Sequence, residues 1–99
     1  MTCLSEKQIE QRLVKAVRSA GGLAPKFISP GWDGVPDRIV LMPEGHIAFV
    51  EVKRPGAKPR ALQLYRHKQL RHLGFEVFVL DSPDAIPEII ERIKHADND

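Results

Sequence analysis

The segment 46–53 constrains the fold more than any other part of this sequence. Its residues alternate in the pattern of a β-strand, in which successive side chains point to opposite faces of a sheet. One face carries Ile47, Phe49, Glu51 and Lys53, and the other carries His46, Ala48, Val50 and Val52. Because apolar residues occupy both faces, we expect this strand to lie inside the sheet, where an unpaired charge is costly. Glu51 and Lys53 therefore need partners on neighbouring elements.

A hairpin is expected to bring one such partner. Pro43-Glu44-Gly45 is a turn signal, and the apolar residues before it predict an antiparallel strand over 37–42. Asp37 opens that strand. With a turn of this length, Asp37 is expected to lie close to Glu51 across the sheet, so that two acids and Lys53 converge.

The first helix is predicted from about Glu6 to Ala20. Ser5 is a good N-cap, and Gln8 three residues later completes a capping box. Glycines at positions 21 and 22 supply the left-handed conformation that ends helices. One stripe of this helix is apolar and is expected to face the core: Ile9, Leu13, Val14, Ala16, Val17 and Ala20.

The remaining patterns complete the element order α-β-β-β-α-β-α. They predict a short strand over 24–29, a second helix from about Arg60 to Leu73, a strand over 75–80 and a last helix after Ser82. The helices are recognised from two apolar sets: Leu62, Tyr65, Leu70 and Leu73 in the second, and Ile86, Ile89, Ile90 and Ile93 in the last. A strand, a crossover helix and a further strand imply a mixed β-sheet flanked by helices, which is an α/β fold. The length predicts one domain, over residues 1–99.

Several classes of protein are disfavoured by the composition. No apolar run approaches the roughly 18 residues that a membrane span requires, and the N-terminus lacks the pattern of a secretion signal. We therefore expect no membrane association and a cytoplasmic location. Cys3 is the only cysteine, which excludes an intrachain disulfide and a cysteine-based zinc site.

The net charge of +2 hides an uneven distribution of charge along the chain. Residues 1–52 balance at zero, residues 53–75 hold seven Lys and Arg with no Asp or Glu, and residues 76–99 carry a net charge of −5. This segregation predicts a basic face for a polyanion such as nucleic acid. Its candidate residues are Arg54, Lys58, Arg60, Arg66, Lys68 and Arg71. The alternative is a solvated helix face without a partner.

The set of Asp37, Glu51 and Lys53 suits hydrolysis of phosphodiester bonds. Two carboxylates can hold Mg²⁺, which polarises a phosphate and lowers the pKa of a bound water. Lys53 would orient that water or stabilise negative charge in the transition state. The alternative is a structural ion pair at a sheet edge, because Glu-x-Lys alone is a weak motif.

A third acid is expected from the first helix. Glu10 falls within the apolar stripe of that helix, where a carboxylate facing the sheet needs a reason. Glu6, one turn earlier on the same stripe, is its competitor. A terminal Glu that favours the helix dipole is the other explanation, and it fits Glu6 better than Glu10.

Three motifs together resemble a known nuclease family. They are Gly-Val-Pro-Asp at 34–37, Glu-Val-Lys at 51–53, and Gln63, which lies eleven residues before Gly74. The combination is similar to the PD-(D/E)XK nucleases, specifically the VRR-NUC (virus-type replication-repair nuclease) family. The resemblance covers nearly the whole chain, from position 10 to about position 81.

This resemblance implies a restriction-endonuclease-like core that cuts DNA with Mg²⁺ or Mn²⁺. The metal ligands it implies are Asp37, Glu51, the carbonyl of Val52, and Glu10. It also implies that Lys53 is the catalytic lysine and that Gln63 lies near the active site. Single-domain members occur in phages and bacteria and resemble Holliday-junction resolvases, which act as homodimers. The implied protein is therefore a homodimer acting on branched DNA in the cytoplasm of a bacterial or phage-infected cell.

Other functions and other residue roles stay open at this point. A nickase or an RNA-directed nuclease of the same fold is one alternative, and a non-catalytic nucleic-acid-binding module is another. Trp32 either stacks on a base or packs in a dimer interface. His67 and His72 are predicted to contact phosphate or solvent.

Overall fold

The predicted hairpin forms two strands of a three-stranded sheet. A computed structural model describes residues 4–95. Its helices are α1 (Glu6–Ser19), α2 (Ala61–His72) and α3 (Ile86–Lys94), and its strands are β1 (Arg38–Met42), β2 (His46–Val52) and β3 (Glu76–Leu80). The strands lie in the order β1-β2-β3, with β1 antiparallel to β2 and β3 parallel to β2. The sheet is therefore mixed and flanked by helices, as predicted. Cys3 and residues 96–99 lie outside the described residues.

The larger part of the core lies between the sheet and helices α1 and α3. The capping box that begins α1 is present, since the side chains of Ser5 and Gln8 each accept a backbone N–H of the other residue. This core joins three sets of buried residues: Ile9, Leu13 and Val17 of α1; Ala48, Val50 and Val52 of β2; and Ile86, Ile89, Ile90 and Ile93 of α3. The strand alternation thus assigns one face of β2 to these two helices.

Helix α2 covers the opposite face of the sheet. Its buried residues are Gln63, His67 and Leu70. Of the four apolar residues from which the helix was predicted, only Leu70 is buried, whereas Leu62, Tyr65 and Leu73 are 44%, 56% and 71% exposed. The cause lies in β2, where Glu51 faces α2 and needs hydrogen-bond donors.

The predicted strand over 24–29 is reduced to two isolated bridges, which pair Leu23 with Leu41 and Lys26 with Arg38. The segment still lies antiparallel beside β1: Ile39 donates its N–H to the carbonyl of Pro25. The return bond is impossible because proline has no N–H. The ladder is therefore interrupted at Pro25, and this edge of the sheet is only partly covered.

The turn between β1 and β2 has a tight, left-handed backbone. Glu44 has a φ of 70°, and it is the one non-glycine residue with positive φ in the described part of the chain.

Within residues 4–95, no helix is both long enough and apolar enough to cross a membrane.

Candidate active site

The hairpin register places Asp37 opposite Glu51. Arg38 pairs with Val50 in the last step of the β1–β2 ladder. One step further, the antiparallel register sets Asp37 against Glu51, as the sequence predicted. The two carboxyl groups are close enough to share a hydrogen bond.

Glu51 is a buried carboxylate held by side chains from α2. Its side chain is 1% exposed. Gln63 donates from Nε2 to Oε2 of Glu51 at 3.0 Å, and His67 Nε2 lies 3.3 Å from Oε1. Lys53 Nζ lies 3.8 Å from Oε2. Each oxygen of Glu51 therefore has a partner, which offsets the cost of removing the carboxylate from water.

The amide of Gln63 is fixed at both ends. Its Oε1 accepts the backbone N–H of Arg60 at 2.8 Å, at the beginning of α2. Its Nε2 is thereby directed at Glu51, so the start of the helix sets the orientation of the carboxylate. The resemblance had placed Gln63 near the active site, and the structure brings it into direct contact with Glu51.

Sequence analysis assigned His67 wrongly. The residue is 1% exposed and packs beneath Glu51, so it contacts neither solvent nor an external phosphate in this structure. Its spacing of four residues from Gln63 was the available signal, because residues i and i+4 lie on the same helix face. Gln63 and His67 could have been recognised as a polar pair that serves Glu51. That reading would have predicted that their side of α2 is buried.

Asp37 is the second acid, and its environment disfavours the charged form. Burial raises the pKa of Asp37 most, and the nearby charge of Glu51, a hydrogen bond with Glu51 and the charge of Glu10 raise it further. The backbone N–H of Val52, which donates to Oδ2 at 2.8 Å, lowers the pKa. The result is a pKa of about 7 instead of the usual 3.8. The two adjacent carboxyl groups therefore disfavour each other's ionised form, and a cation between them would offset this repulsion.

Of the two candidate acids on α1, Glu10 acts on Asp37 through its charge, but the structure does not aim its side chain at the other two acids. Oε2 of Glu10 accepts a hydrogen bond from Nε of Arg38 at 2.8 Å, and Glu6 is exposed. Glu10 still lies near enough for its charge to act on Asp37. Across residues 4–95, no three acidic, histidine or cysteine side chains are grouped in a way that would hold a metal. The ion pair between Arg38 and Glu10 was not predicted from the sequence.

The donor set fits a hard divalent cation with few protein ligands. Mg²⁺ commonly binds one or two carboxylates and completes its octahedral shell with water and substrate phosphate. Asp37 and Glu51 supply the two carboxylates, and the raised pKa of Asp37 shows how strongly a cation between them would be favoured. A third protein ligand is not required for this mode of binding.

The predicted basic residues have two different environments. Two guanidinium groups are bound within the chain: Arg66 donates from Nε to the carbonyl of Asp33 at 2.7 Å, and Arg71 donates to the carbonyl of Val77 at 2.8 Å. The other four predicted residues are exposed: Arg54, Lys58, Arg60 and Lys68. Two of the six predicted basic residues therefore bind backbone carbonyls of their own chain.

Trp32 packs within its own chain. It lies against the buried cluster of Phe49, Leu70 and Val77, and the guanidinium of Arg66 lies 5.1 Å from the centre of its ring. Together with the bond from Arg66 to Asp33, this contact fastens the loop before Asp37 onto α2. Packing, and not an external partner, accounts for the buried part of the Trp32 ring.

Comparisons with known proteins agree with this geometry. No protein-family profile matches the chain. A curated relative named "Putative nuclease p44", from Acyrthosiphon pisum secondary endosymbiont phage 1, is 54% identical over 84 residues, which cover 85% of this chain and 90% of the relative. A solved structure of a "VRR_NUC domain" is similar with a TM-score of 0.82 and 31% identity, covering 95% of this chain and 100% of that one.

Both similarities extend over most of each chain, so they concern the whole fold and not one motif. The solved structure is a VRR_NUC domain, and the motifs at 34–37 and 51–53 are typical of that family. The chain therefore belongs to the VRR-NUC family of nucleases.

Proposed function

We propose that this protein is a Mg²⁺- or Mn²⁺-dependent endonuclease that hydrolyses phosphodiester bonds in branched DNA such as Holliday junctions. One observation carries the proposal: Asp37 and Glu51 face each other at the end of the β1–β2 ladder, with Lys53 Nζ 3.8 Å from Glu51. The phage origin of the curated relative supports a site of action in the cytoplasm of a bacterial or phage-infected cell.

The two carboxylates would hold the metal, and the fold keeps them in place. When bound, Mg²⁺ or Mn²⁺ polarises the phosphodiester and acidifies a water molecule. Glu51 is positioned by Gln63 and His67, and Asp37 is positioned by the N–H of Val52. The Val52 carbonyl is the third ligand that the family resemblance implies. Because these contacts come from the sheet and from α2, the metal-binding groups are preorganised on rigid elements.

Lys53 would act on the substrate. Its side chain is 15% exposed, so the ammonium group lies at the boundary between the buried Glu51 and solvent. A phosphate that reached the two acids would lie within range of this charge. Lys53 would orient the attacking water or stabilise the charge that develops on the phosphate oxygens. Glu10, held by Arg38, would add a negative charge near Asp37 without serving as a direct ligand.

A non-catalytic nucleic-acid-binding module is less favoured by the same geometry. Two carboxyl groups beside a phosphate repel it unless a cation lies between them. A module that only binds needs basic residues and has no use for this pair. A nickase or an RNA-directed nuclease of the same fold uses the same residues and differs in substrate alone.

Cleavage is expected only with Mg²⁺ or Mn²⁺ and is expected to favour four-way junctions over linear duplex. The measurement is a panel assay in which labelled linear, flap and four-way-junction DNA and a matched RNA duplex are incubated with each metal or with EDTA. Cleavage in EDTA would contradict the metal role. Equal cleavage of junction and linear DNA would contradict the branched-DNA preference and leave the nuclease proposal in place.

We further propose that the protein is a homodimer through the outer face of α2. Resolution of a junction needs two sites, and a twofold interface supplies both. Trp32, the earlier candidate for this interface, is used within the chain. The outer face of α2 instead borders a groove of about 440 Å³ lined by Tyr65, Lys68, Gln69, His72 and Leu73. Tyr65 and Leu73 are 56% and 71% exposed, and exposed large apolar side chains in a groove are candidates for an interface.

Leu73→Glu is expected to convert the dimer to a monomer, because it places a charge in the apolar face of both copies. Ile28→Glu is the matched control, since Ile28 is 78% exposed and apolar but lies outside α2. Sedimentation at micromolar concentration measures the change. A monomeric wild-type protein, or a dimer that survives Leu73→Glu, would overturn this interface.

A further inference from the structure

A second basic surface lies on α1, away from the segment 53–75. Two recesses of about 540 and 530 Å³ lie along this helix and share Gln11 and Arg38 in their walls, so they adjoin each other. We call the two recesses together the α1 groove. The cations that line it are Lys7, Lys15, Arg18, Lys26 and Arg38.

The charge of the α1 groove is hidden in the linear sequence. Residues 1–52 contain six Lys and Arg and six Asp and Glu, and so appear neutral. Five of those six cations line the groove, whereas only two of the six acids do, Glu6 and Glu10. Both acids lie at the N-terminal end of α1. Because Glu10 is paired with Arg38, the part of the groove formed by Lys15 and Arg18 has a net positive charge.

The exposed cations of this groove are free to bind an external anion. Lys7, Lys15, Arg18 and Lys26 are exposed, and none of them takes part in an ion pair among residues 4–95. Lys7 of α1 and Lys26 of the segment before β1 line the same recess, so two elements contribute cations to it. Cations that several elements contribute to one recess attract a polyanion more strongly than a single row does.

The α1 groove lies near the candidate active site. Arg38 lines both recesses and is the chain neighbour of Asp37. Glu10, also in the wall, is close enough for its charge to raise the pKa of Asp37. The cations of the groove therefore lie near an extended anion bound at Asp37 and Glu51.

We propose that the α1 groove binds the phosphate backbone of one DNA strand as it leaves the active site. The inference rests on the proposed nuclease function and adds a contact surface to it. Lys7 and Arg18 lie eleven residues apart on α1, which corresponds to about 16 Å along a helix. One strand of B-DNA advances about 3.4 Å per step along its axis, so the groove spans about five steps. The DNA is then held on both sides of the cut, by the α1 groove and by the exposed residues Arg54, Lys58 and Arg60.

Charge reversal on α1 provides a matched test. Arg18→Glu lies in the groove, and Arg12→Glu makes the same change of charge on an exposed residue of the same helix that lines neither recess. We expect Arg18→Glu to reduce the steepness of log affinity against log salt by about 1, and Lys15→Glu with Arg18→Glu to reduce it by about 2. The double variant should bind about tenfold more weakly or worse near physiological salt. Arg12→Glu should leave the slope unchanged.

Binding is measured in EDTA with a fluorescent 30-base-pair duplex and with a four-way junction, so that cleavage plays no part. The neutral pair Lys15→Gln and Arg18→Gln repeats the test with less disturbance to the helix, and thermal melting confirms folding. A wild-type slope in the double variants, or an equal loss in Arg12→Glu, would overturn the α1 groove while leaving metal-dependent cleavage intact. Failure of the wild-type protein to bind either DNA in EDTA would overturn the groove, whereas the proposed function is tested separately by cleavage with Mg²⁺ or Mn²⁺.

Discussion

Asp37→Asn is expected to abolish DNA cleavage and, at the same time, to stabilise the metal-free protein above pH 7. The loss of cleavage follows because an uncharged amide binds Mg²⁺ or Mn²⁺ poorly. The metal supplies several kcal/mol of transition-state stabilisation, so the single-turnover rate should fall by about a thousandfold or more. Glu51→Gln is expected to have the same effect on the rate.

The gain in stability follows from the raised pKa of Asp37. The folded protein holds a proton on this carboxyl up to about pH 7, whereas the unfolded chain releases it near the usual value of 3.8. The stability that this group contributes is therefore fully present below about pH 4 and is lost as the pH rises through about 7. Asparagine never ionises and still offers an oxygen to the N–H of Val52. Because the site is partly open to solvent, the expected gain at pH 8 is about 1–2 kcal/mol.

Three measurements check this prediction: single-turnover cleavage, calorimetric titration with Mn²⁺, and urea unfolding in EDTA at pH 5 and pH 8. Asp33→Asn is the matched control, because Asp33 lies four residues earlier on the same loop and its side chain is exposed. Normal cleavage by Asp37→Asn or Glu51→Gln would remove these acids from the mechanism. An equal change in stability at both pH values would show that charge is not its cause.

Lys53→Met is expected to lower the single-turnover rate by orders of magnitude while the affinity for DNA changes little. The ammonium group lies beside Glu51, where charge develops during the reaction, so its removal should cost transition-state stabilisation and not ground-state binding. Lys58→Met removes the same charge from an exposed position five residues later and should act chiefly on affinity.

Rate and affinity are separated by measuring single-turnover cleavage at saturating protein and binding in EDTA. If Lys53→Met lost affinity and kept its rate at saturation, Lys53 would be a phosphate-binding residue. Melting curves for both variants test whether each protein is folded, so that a folding defect is not mistaken for a loss of catalysis.

Much of the candidate site was predictable because it depends on local rules. Strand alternation put Glu51 and Lys53 on one face of β2, and the turn at 43–45 fixed the register that sets Asp37 against Glu51. The capping box at Ser5 and Gln8 fixed the start of α1 in the same way. Each of these features depends on residues within about fifteen positions of one another, so the sequence pattern carries it directly.

Other features depended on contacts between distant parts of the chain. The apolar residues Leu62, Tyr65 and Leu73 helped to predict α2, but they are exposed, and the helix turns Gln63 and His67 inward. A buried carboxylate without donors costs more than a few exposed leucines, so the need of Glu51 decided the orientation of the helix. No pattern within α2 reveals that need, because Glu51 lies on another element.

Sequence patterns alone predicted the candidate residues of the site and the hairpin that brings Asp37 and Glu51 together. The residues that support these two acids, and the surfaces where charge accumulates, became apparent from the folded structure. Arg38 binds Glu10 from 28 positions away along the chain. Lys26 lines a recess together with residues of α1, although residues 1–52 have no net charge. The physical reason is that electrostatic interaction and burial depend on distance in space, whereas sequence patterns report only distance along the chain.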